Sequence, residues 1–287
     1  MKKRLLTAAV CIPLTILTLI LFETFIFNVV IITITLIAIH EALTAFHIPH
    51  KNVLFAGFVP VCCLYLFRDY EVIDKLAFPA AFFVLLFVTL FIFKYFEEVK
   101  ITSVLGVTLF SAMVMFSFYS MIHFKIMFPP KEYGYFGVLL LLIGLAYAWG
   151  GDSMAYFVGR KFGKRKMSPK ISPHKTVEGA IGGVLGSILL GEVVLFVYYG
   201  LEQLFSAAPV LVINWQVCLL VAVIAVPASL LGMTGDLFAS SIKRQMDIKD
   251  YGTILPGHGG ILDRFDSILF VTPFTAMCAS FFCNFLA

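Results

Sequence analysis

Charged side chains are concentrated in segment 240–266, in a chain of which only 13% of the residues are charged. Five carboxylates lie within or just before this segment, namely Asp236, Asp247, Asp250, Asp263 and Asp266. Four cations accompany them, namely Lys243, Arg244, Lys249 and Arg264. Carboxylate oxygens are ligands that Mg²⁺ prefers, and Lys and Arg suit phosphate oxygens. Their combination predicts a site for phosphate chemistry.

A glycine-rich turn, 256–260, lies within the same segment and contains His258. Glycine lets the backbone approach an anion and turn its N–H groups toward it. Before the turn, Asp236, Ser240 and Lys243 are spaced to share one face if the chain is helical there. After the turn, Asp263 and Asp266 would share a helix face at the start of the last apolar run. The spacing therefore predicts an anion-binding turn flanked by grouped charges.

A solvated loop, with charges paired to one another and to lipid headgroups, is the alternative interpretation of this segment. Mixed charge alone would favour that alternative. However, Asp236, Asp263 and Asp266 lie at or inside the predicted membrane boundary, where carboxylates are costly and usually functional. We therefore interpret segment 240–266 as a functional site.

A second polar stretch, 150–186, begins beside Asp152, a carboxylate within an apolar run, which again indicates function. The basic residues that follow, from Arg160 to Lys175, leave two interpretations open. They either bind anionic lipid headgroups and set the topology, or they bind substrate.

A helix is predicted to begin near residue 177, with Ser172 or Thr176 placed to cap it. Lys175 and Glu178 lie one turn apart at this point, where a helix N-terminus favours anions. Four glycines with overlapping GxxxG spacing follow, and this spacing predicts close helix packing. They are Gly179, Gly182, Gly183 and Gly186.

Two weaker signals lie elsewhere in the chain. Near the end of the second apolar run is a cluster without diagnostic metal spacing, and we interpret its histidines as interfacial. The cluster contains His40, Glu41, His47 and His50. Glu192 lies in mid-span, where it either lines a polar cavity or pairs within the helix bundle.

The composition predicts an all-α, polytopic integral membrane protein. Of its 287 residues 61% are hydrophobic, and the mean hydropathy is +0.99, far above a soluble domain. Apolar runs long enough to cross a bilayer recur, and helices satisfy their own backbone hydrogen bonds in lipid. We predict about nine spans, at 5–22, 25–46, 53–67, 76–93, 101–124, 135–158, 177–199, 209–232 and 267–286.

The lysine and arginine positions predict a cytoplasmic N-terminus, because most of the 21 basic residues then lie on the cytoplasmic side. Loops 159–176 and 233–266 would both face the cytoplasm. We predict an N-terminal region of about five spans, 1–134, and a C-terminal catalytic region, 135–287, that carries both loops. The short N-terminus without a targeting segment favours a bacterial inner membrane.

Segment 240–266 contains the blocks Ser240-x-Ile242-Lys243-Arg244, Lys249-Asp250-x-Gly252, Pro256-x-His258-Gly259-Gly260 and Asp263-Arg264-x-Asp266. Supporting blocks are Asp152-x-x-Ala155-Tyr156, the region from Gly159 to Gly163, and Ser172-Pro173-x-Lys175-Thr176-x-Glu178-Gly179. This long, mixed and strictly spaced pattern resembles the phosphatidate cytidylyltransferase family, also called CDP-diacylglycerol synthases. Ala239 departs from it, since such sequences often have Glu there. The resemblance covers roughly the C-terminal half; the N-terminal half matches only as apolar spans.

The resemblance implies that CTP and phosphatidic acid react to give CDP-diacylglycerol and pyrophosphate, with Mg²⁺ as cofactor. Whether a second metal or a monovalent cation also binds is left open. The implied metal ligands are Asp236, Asp263 and Asp266. The implied catalytic residues are Asp152, Lys175, Lys243, Arg244, Asp250, His258 and Arg264. The implied substrate-binding residues are Ser172, Glu178, Ser240, Lys249, Gly259 and Gly260.

The expected partners are therefore the two substrates and the lipid bilayer, with no nucleic acid. The close-packing glycines are compatible with a homodimer. Two other functions stay open. A CTP-dependent lipid-alcohol kinase would transfer the γ-phosphoryl group and release CDP. A secondary transporter of an anionic solute often contains internal repeats, and neither motif occurs twice in this chain, which favours an enzyme.

Overall fold

The computed structural model describes residues 9, 13–67, 75–205 and 211–286. The chain forms two compact units. One consists of Met1–Ile122 and Lys243–Phe265, and the other of His123–Ile242 and Asp266–Ala287. Segment 243–265, which carries the glycine-rich turn, thus belongs to the same compact unit as the N-terminal helices. The functional division at residue 134 stays a prediction.

Apolar helices make up most of the first unit. They are α1 (Phe25–Ala45), α2 (Lys51–Leu66), α3 (Ala77–Lys94) and α4 (Ile101–Met127), whose last residues belong to the other unit. Thr24 caps α1, because its hydroxyl accepts a hydrogen bond from the Ile26 amide at 3.2 Å. Helix α2 packs against both α1 and α3. Fully buried side chains such as Ile39, Leu43 and Leu54 form the core of this unit.

The chain continues through α5 (Pro130–Tyr133), α6 (Phe136–Phe162), β1 (Lys166–Ser168), β2 (Ser172–Thr176), α7 (Val177–Phe205), α8 (Trp215–Gln245), α9 (Leu262–Phe265) and α10 (Ile268–Leu286). Helix α9 and the last three residues of α8 belong to the first unit. Within the second unit, α6 packs along α7 and also contacts α10.

Five described helices, α1, α4, α6, α7 and α8, are long and apolar enough to cross a membrane. Three shorter apolar helices are Lys51–Leu66, Phe78–Lys94 and Ile268–Phe281. The first predicted span, 5–22, lies partly outside the described residues. Large apolar side chains are highly exposed, for example Phe78 at 84% and Leu204 at 77%, as expected of a surface that meets lipid. The helices fit an integral membrane protein, whereas the number of nine spans is not confirmed.

The predicted all-α fold is wrong in one place, the loop 159–176. Helix α6 continues into this loop, and β1 and β2 then form a two-stranded antiparallel sheet. The sheet pairs Lys166 with Thr176 and Ser168 with Ser172. Pro169 lies in the turn between the strands, where its fixed φ favours reversal of the chain. The polar loop is therefore an ordered hairpin.

The second predicted loop, 233–266, is also more regular than expected, because α8 extends through Gln245. The helix ends where Asp247 adopts the left-handed backbone conformation, with φ of +53°. The amide of Ile248 then donates to the carbonyl of Lys243 at 3.0 Å. This closure is typical of helix C-termini and satisfies a carbonyl left over by the helix.

Four glycines of α7 pack against α6, as the GxxxG spacing predicted. They are Gly179, Gly182, Gly183 and Gly186. A Cβ at Gly182 would lie 2.5 Å from Val158, and one at Gly186 would collide with the Cβ of Met154. The two helices therefore approach too closely for any larger residue. Because these glycines face α6 of the same chain, their spacing does not argue for a homodimer.

Replacement of Gly186 by alanine is expected to destabilise the α6–α7 pair by about 1–3 kcal/mol, as overpacking of a close contact does. Gly200→Ala is the matched control, because a Cβ added at Gly200 of the same helix would have nothing within 4 Å. Thermal unfolding in detergent measures both variants. Equal unfolding temperatures for the two would show that the glycine contact does not hold the helices together.

Candidate functional site

One group of polar side chains lies in the second unit, centred on Asp236 of α8. Its Oδ2 lies 2.6 Å from Nζ of Lys175 on β2. Its Oδ1 accepts a hydrogen bond from the hydroxyl of Ser240, one turn further along α8, at 3.1 Å. The predicted helical face of Asp236 and Ser240 is thus confirmed. Lys175 also donates to the carbonyl of Met233 at 3.4 Å, which fixes its ammonium beside α8.

Asp152 of α6 adds a second carboxylate to this group. It lies within electrostatic range of both the Asp236 carboxylate and the Lys175 ammonium. The buried hydroxyl of Ser267 also lies beside the Asp152 carboxylate. The adjacent carboxylate of Asp266 accepts from the Ser267 amide at 2.9 Å. The sequence patterns did not indicate Ser267.

Glu178 binds the polypeptide backbone in this structure. Its carboxylate accepts hydrogen bonds from the amide of Lys164 at 3.0 Å and from that of Arg165 at 3.2 Å. The hydroxyl of Thr176 accepts from the Gly179 amide at 3.1 Å, so Thr176 caps α7. Ser172, the other candidate cap, instead lies in β2. Glu178 therefore fastens the basic segment to the start of α7, and its substrate role stays a prediction.

Removal of the Glu178 carboxylate is expected to loosen residues 164–166. Glu178→Ala should accelerate tryptic cleavage after Lys164, Arg165 and Lys166, because the two hydrogen bonds that hold this backbone are lost. The cleavage rate of Glu178→Gln, which keeps one acceptor oxygen, should lie between the rates of Glu178→Ala and the wild type. Cleavage rates in detergent measure this effect. Unchanged cleavage in Glu178→Ala would contradict the fastening role.

A second group lies in the first unit, centred on Asp263 of α9. Its Oδ1 accepts from Nζ of Lys243 at 2.9 Å, and the two side chains are only 4% and 13% exposed. Its Oδ2 accepts from the amides of Tyr251 at 2.8 Å and Gly260 at 2.9 Å. The Lys243 ammonium also lies 5.3 Å from the centre of the Tyr251 ring, within cation–π range. Asp263 thus joins the end of α8 to the glycine-rich turn.

The two amides that follow the glycine-rich turn bind Glu41 of α1. The Ile261 amide donates to Oε1 and the Leu262 amide to Oε2, both at 3.0 Å. Together with Gly260, three successive amides therefore meet carboxylate oxygens. One amide of the predicted anion-binding turn, that of Gly260, and the two amides that follow it bind the protein's own carboxylates. In the sequence, Glu41 stands out only as a member of the cluster with His40, His47 and His50, which lacks diagnostic metal spacing.

The remaining predicted residues lie around this second group. The glycine-rich turn is closed by the pairing of Leu255 with Gly259, whose φ of +84° favours glycine. Arg264 donates from Nε to the carbonyl of His258 at 2.8 Å. The Nδ1 atom of His258 is buried and has no hydrogen-bond partner within the described ranges. Arg244, Lys249 and Asp250 are exposed at the surface.

The three predicted metal ligands differ in how they are held. Asp263 is buried and engaged by an ammonium and two amides, whereas Asp236 keeps 25% of its side chain exposed. Among the described residues, no three His, Cys, Asp or Glu side chains form a preassembled metal site. The metal and substrate roles of the individual residues therefore stay predictions.

Comparison with known proteins places the chain in a family. The sequence model of the cytidylyltransferase family matches residues 2–282. The chain belongs to the cytidylyltransferase family. Its match to this family includes both groups of polar side chains described above and also α1, which carries Glu41.

Curated members of the cytidylyltransferase family are similar to about half of this chain. The phosphatidate cytidylyltransferase of Bacillus subtilis is 44% identical over 139 residues, which are 48% of this chain and 46% of that protein. That of Haemophilus influenzae is 40% identical over 140 residues, 49% of this chain and 45% of that protein. That of Thermotoga maritima is 41% identical over 138 residues, 48% of each. The chain thus spans about half the length of the curated relatives it matches.

Proposed function

We propose that this protein transfers the cytidylyl group of CTP to phosphatidic acid, giving CDP-diacylglycerol and pyrophosphate. The observation that carries the proposal is its 40–44% identity, over about half its length, to proteins named phosphatidate cytidylyltransferase. The structure supports it with partly buried cations held in defined positions. Lys175 and Lys243 each have an ammonium fixed by a carboxylate at 2.6 and 2.9 Å.

Mg²⁺ is the proposed cofactor, and the group around Asp236 fits it. Mg²⁺ is usually bound by one or two carboxylates together with water and substrate phosphates. Asp236 and Asp152 supply two carboxylates, and the buried hydroxyl of Ser267 lies beside Asp152. When bound, the ion would supply neutralisation of charge on the triphosphate.

In the proposed reaction, an oxygen of the lipid phosphate forms a bond to the α-phosphorus of CTP. The bond from this phosphorus to the oxygen that bridges to the β-phosphate breaks, and pyrophosphate leaves with the electron pair. Both substrates are anions and repel each other, so catalysis depends on positioning and on cations. Lys175 and Lys243 would neutralise phosphate oxygens, and their partial burial strengthens that attraction.

The proposal includes nine spans with a cytoplasmic N-terminus in a bacterial inner membrane, and a homodimer. The basic residues between α6 and α7 support the orientation, because basic loops remain cytoplasmic. The acyl chains of the lipid would stay in the bilayer while its headgroup reaches the protein from the cytoplasmic surface. Labelling of single cysteines from each side of the membrane tests the topology, and light scattering in detergent tests the dimer.

Pyrophosphate release tests the proposed function. Purified protein in detergent should release pyrophosphate only when CTP, phosphatidic acid and Mg²⁺ are all present. Diacylglycerol is the matched control lipid, since it lacks the phosphate that must attack. Pyrophosphate release that is independent of phosphatidic acid, or none from folded protein, would contradict the proposal.

A further inference from the structure

Glu41 is a buried carboxylate that none of the proposed chemical steps uses. It lies on α1 in the N-terminal half, it is only 3% exposed, and it reaches segment 261–262 across 220 residues of sequence. A buried carboxylate is costly unless hydrogen bonds compensate it. Both of its oxygens accept backbone amides near the start of α9 at 3.0 Å, a normal N–H···O hydrogen-bond distance.

Two glycines of segment 240–266 leave room for this carboxylate. If a Cβ were added at Gly260, its three nearest atoms would all belong to Glu41, and both carboxylate oxygens would lie 2.5 Å away. For Gly252, the three nearest atoms also belong to Glu41, and a Cβ would collide with Oε1. Neither glycine has a positive φ, so the backbone itself does not require glycine at these positions. Glycine is required there because Glu41 occupies the space that a Cβ would need.

The backbone held by Glu41 also binds Asp263, the partner of Lys243. Gly260 donates to Asp263, and the next two amides donate to Glu41, so one short stretch of backbone joins the two carboxylates. Any shift of this stretch moves the acceptor that holds the Lys243 ammonium. Glu41 itself is only 3% exposed, and both of its oxygens are engaged by backbone amides.

We propose that Glu41 is a positioning residue, which holds segment 259–262 so that Asp263 and Lys243 keep their place. Gly252 and Gly260 are then glycines because Glu41 occupies the space beside them. The inference rests on the proposed function for its catalytic consequence. It also assigns a task to the N-terminal helices, which lie outside the sequence blocks of the C-terminal half. Glu41 acts through the turn and is not a catalytic residue.

Glu41→Gln tests the role with little change in size. One oxygen becomes an NH₂ group that faces a backbone N–H, so one hydrogen bond is lost. We expect kcat to fall on the order of 10²-fold, as a displaced catalytic geometry does, with a KM for CTP within about threefold of wild type. Glu192→Gln is the control, because this carboxylate lies on α7 in the other compact unit.

Hydrogen–deuterium exchange provides a readout that needs no activity. In Glu41→Gln, a peptide covering 259–264 should exchange faster than in wild type, while peptides from α6 and α7 should not change. Equal exchange in this peptide, or a variant with wild-type kcat, would overturn the positioning role. Because exchange is measured without substrate, it decides about Glu41 even if the protein proves to have no cytidylyltransferase activity.

A double variant tests the claim about glycine. On the wild-type background, Gly260→Ala should lower the unfolding temperature and reduce turnover about 10-fold or more, since its Cβ has no space. On a Glu41→Ala background, the added Gly260→Ala should change both by little, with turnover within about twofold, because coupled sites are not additive. Additive losses would show that Glu41 is not what requires glycine at position 260.

Discussion

Replacement of Asp263 by asparagine is expected to reduce turnover by at least about 10²-fold and to lower the free energy of unfolding by about 3 kcal/mol. The side chain is 4% exposed and accepts three hydrogen bonds, one from the Lys243 ammonium and two from backbone amides. Asparagine removes the charge and presents an NH₂ group to at least one donor. The nearly buried ammonium of Lys243 then loses its carboxylate, and an uncompensated buried charge strongly destabilises the folded protein.

Steady-state kinetics and thermal unfolding of the purified variant measure this prediction. Asp247→Asn is the matched control, since Asp247 is an exposed carboxylate of the same segment and asparagine tolerates its left-handed backbone. The control should keep both its activity and its unfolding temperature. Wild-type stability in Asp263→Asn would mean that the Lys243–Asp263 pair does not hold segment 240–266 together.

Replacement of Lys175 by methionine is expected to reduce turnover on the order of 10²-fold, mainly through a higher barrier for phosphoryl chemistry. Methionine keeps much of the length of the side chain but removes the cation that lies 2.6 Å from Asp236. Asp236 then loses the ammonium that pairs with it, and the negative charge left behind opposes an incoming triphosphate. We expect kcat/KM for CTP to fall accordingly.

Kinetics over a range of CTP and Mg²⁺ concentrations measure the effect of Lys175→Met. Lys170→Met is the control, because Lys170 is an exposed cation in the turn between β1 and β2. A general loss of basic charge would lower the activity of both variants alike. Equal activities of the two variants would therefore mean that Lys175 has no specific role.

The membrane class and the shared helix face of Asp236 and Ser240 could be predicted from the sequence, because each has a local cause. Long apolar runs require helices in lipid, and the spacing of Asp236 and Ser240 places both on one helix face. The GxxxG spacing likewise predicted the close approach of α6 and α7. These features depend on residues within a turn or two of each other.

The contacts that define the groups could not be predicted in this way, because they join residues far apart in the chain. Glu41 accepts hydrogen bonds from the amides of Ile261 and Leu262, and no local sequence pattern predicts this contact. A glycine-rich turn predicts an anion but not which one, and here the anions that bind amides 260–262 are carboxylates of the protein itself. The hairpin in 166–176 was not predicted, because a segment rich in charged residues and proline is typical of an irregular loop.

CTP labelled on a single phosphate provides the most direct test of the central claim, the transfer of a cytidylyl group. Purified protein is incubated with Mg²⁺, phosphatidic acid and diacylglycerol, and with CTP labelled at either the α- or the γ-phosphate. The account predicts that the α-label enters lipid, while the γ-label is released in pyrophosphate. Entry of the γ-label into lipid, with the α-label left in free CDP, would contradict it and indicate a lipid-alcohol kinase.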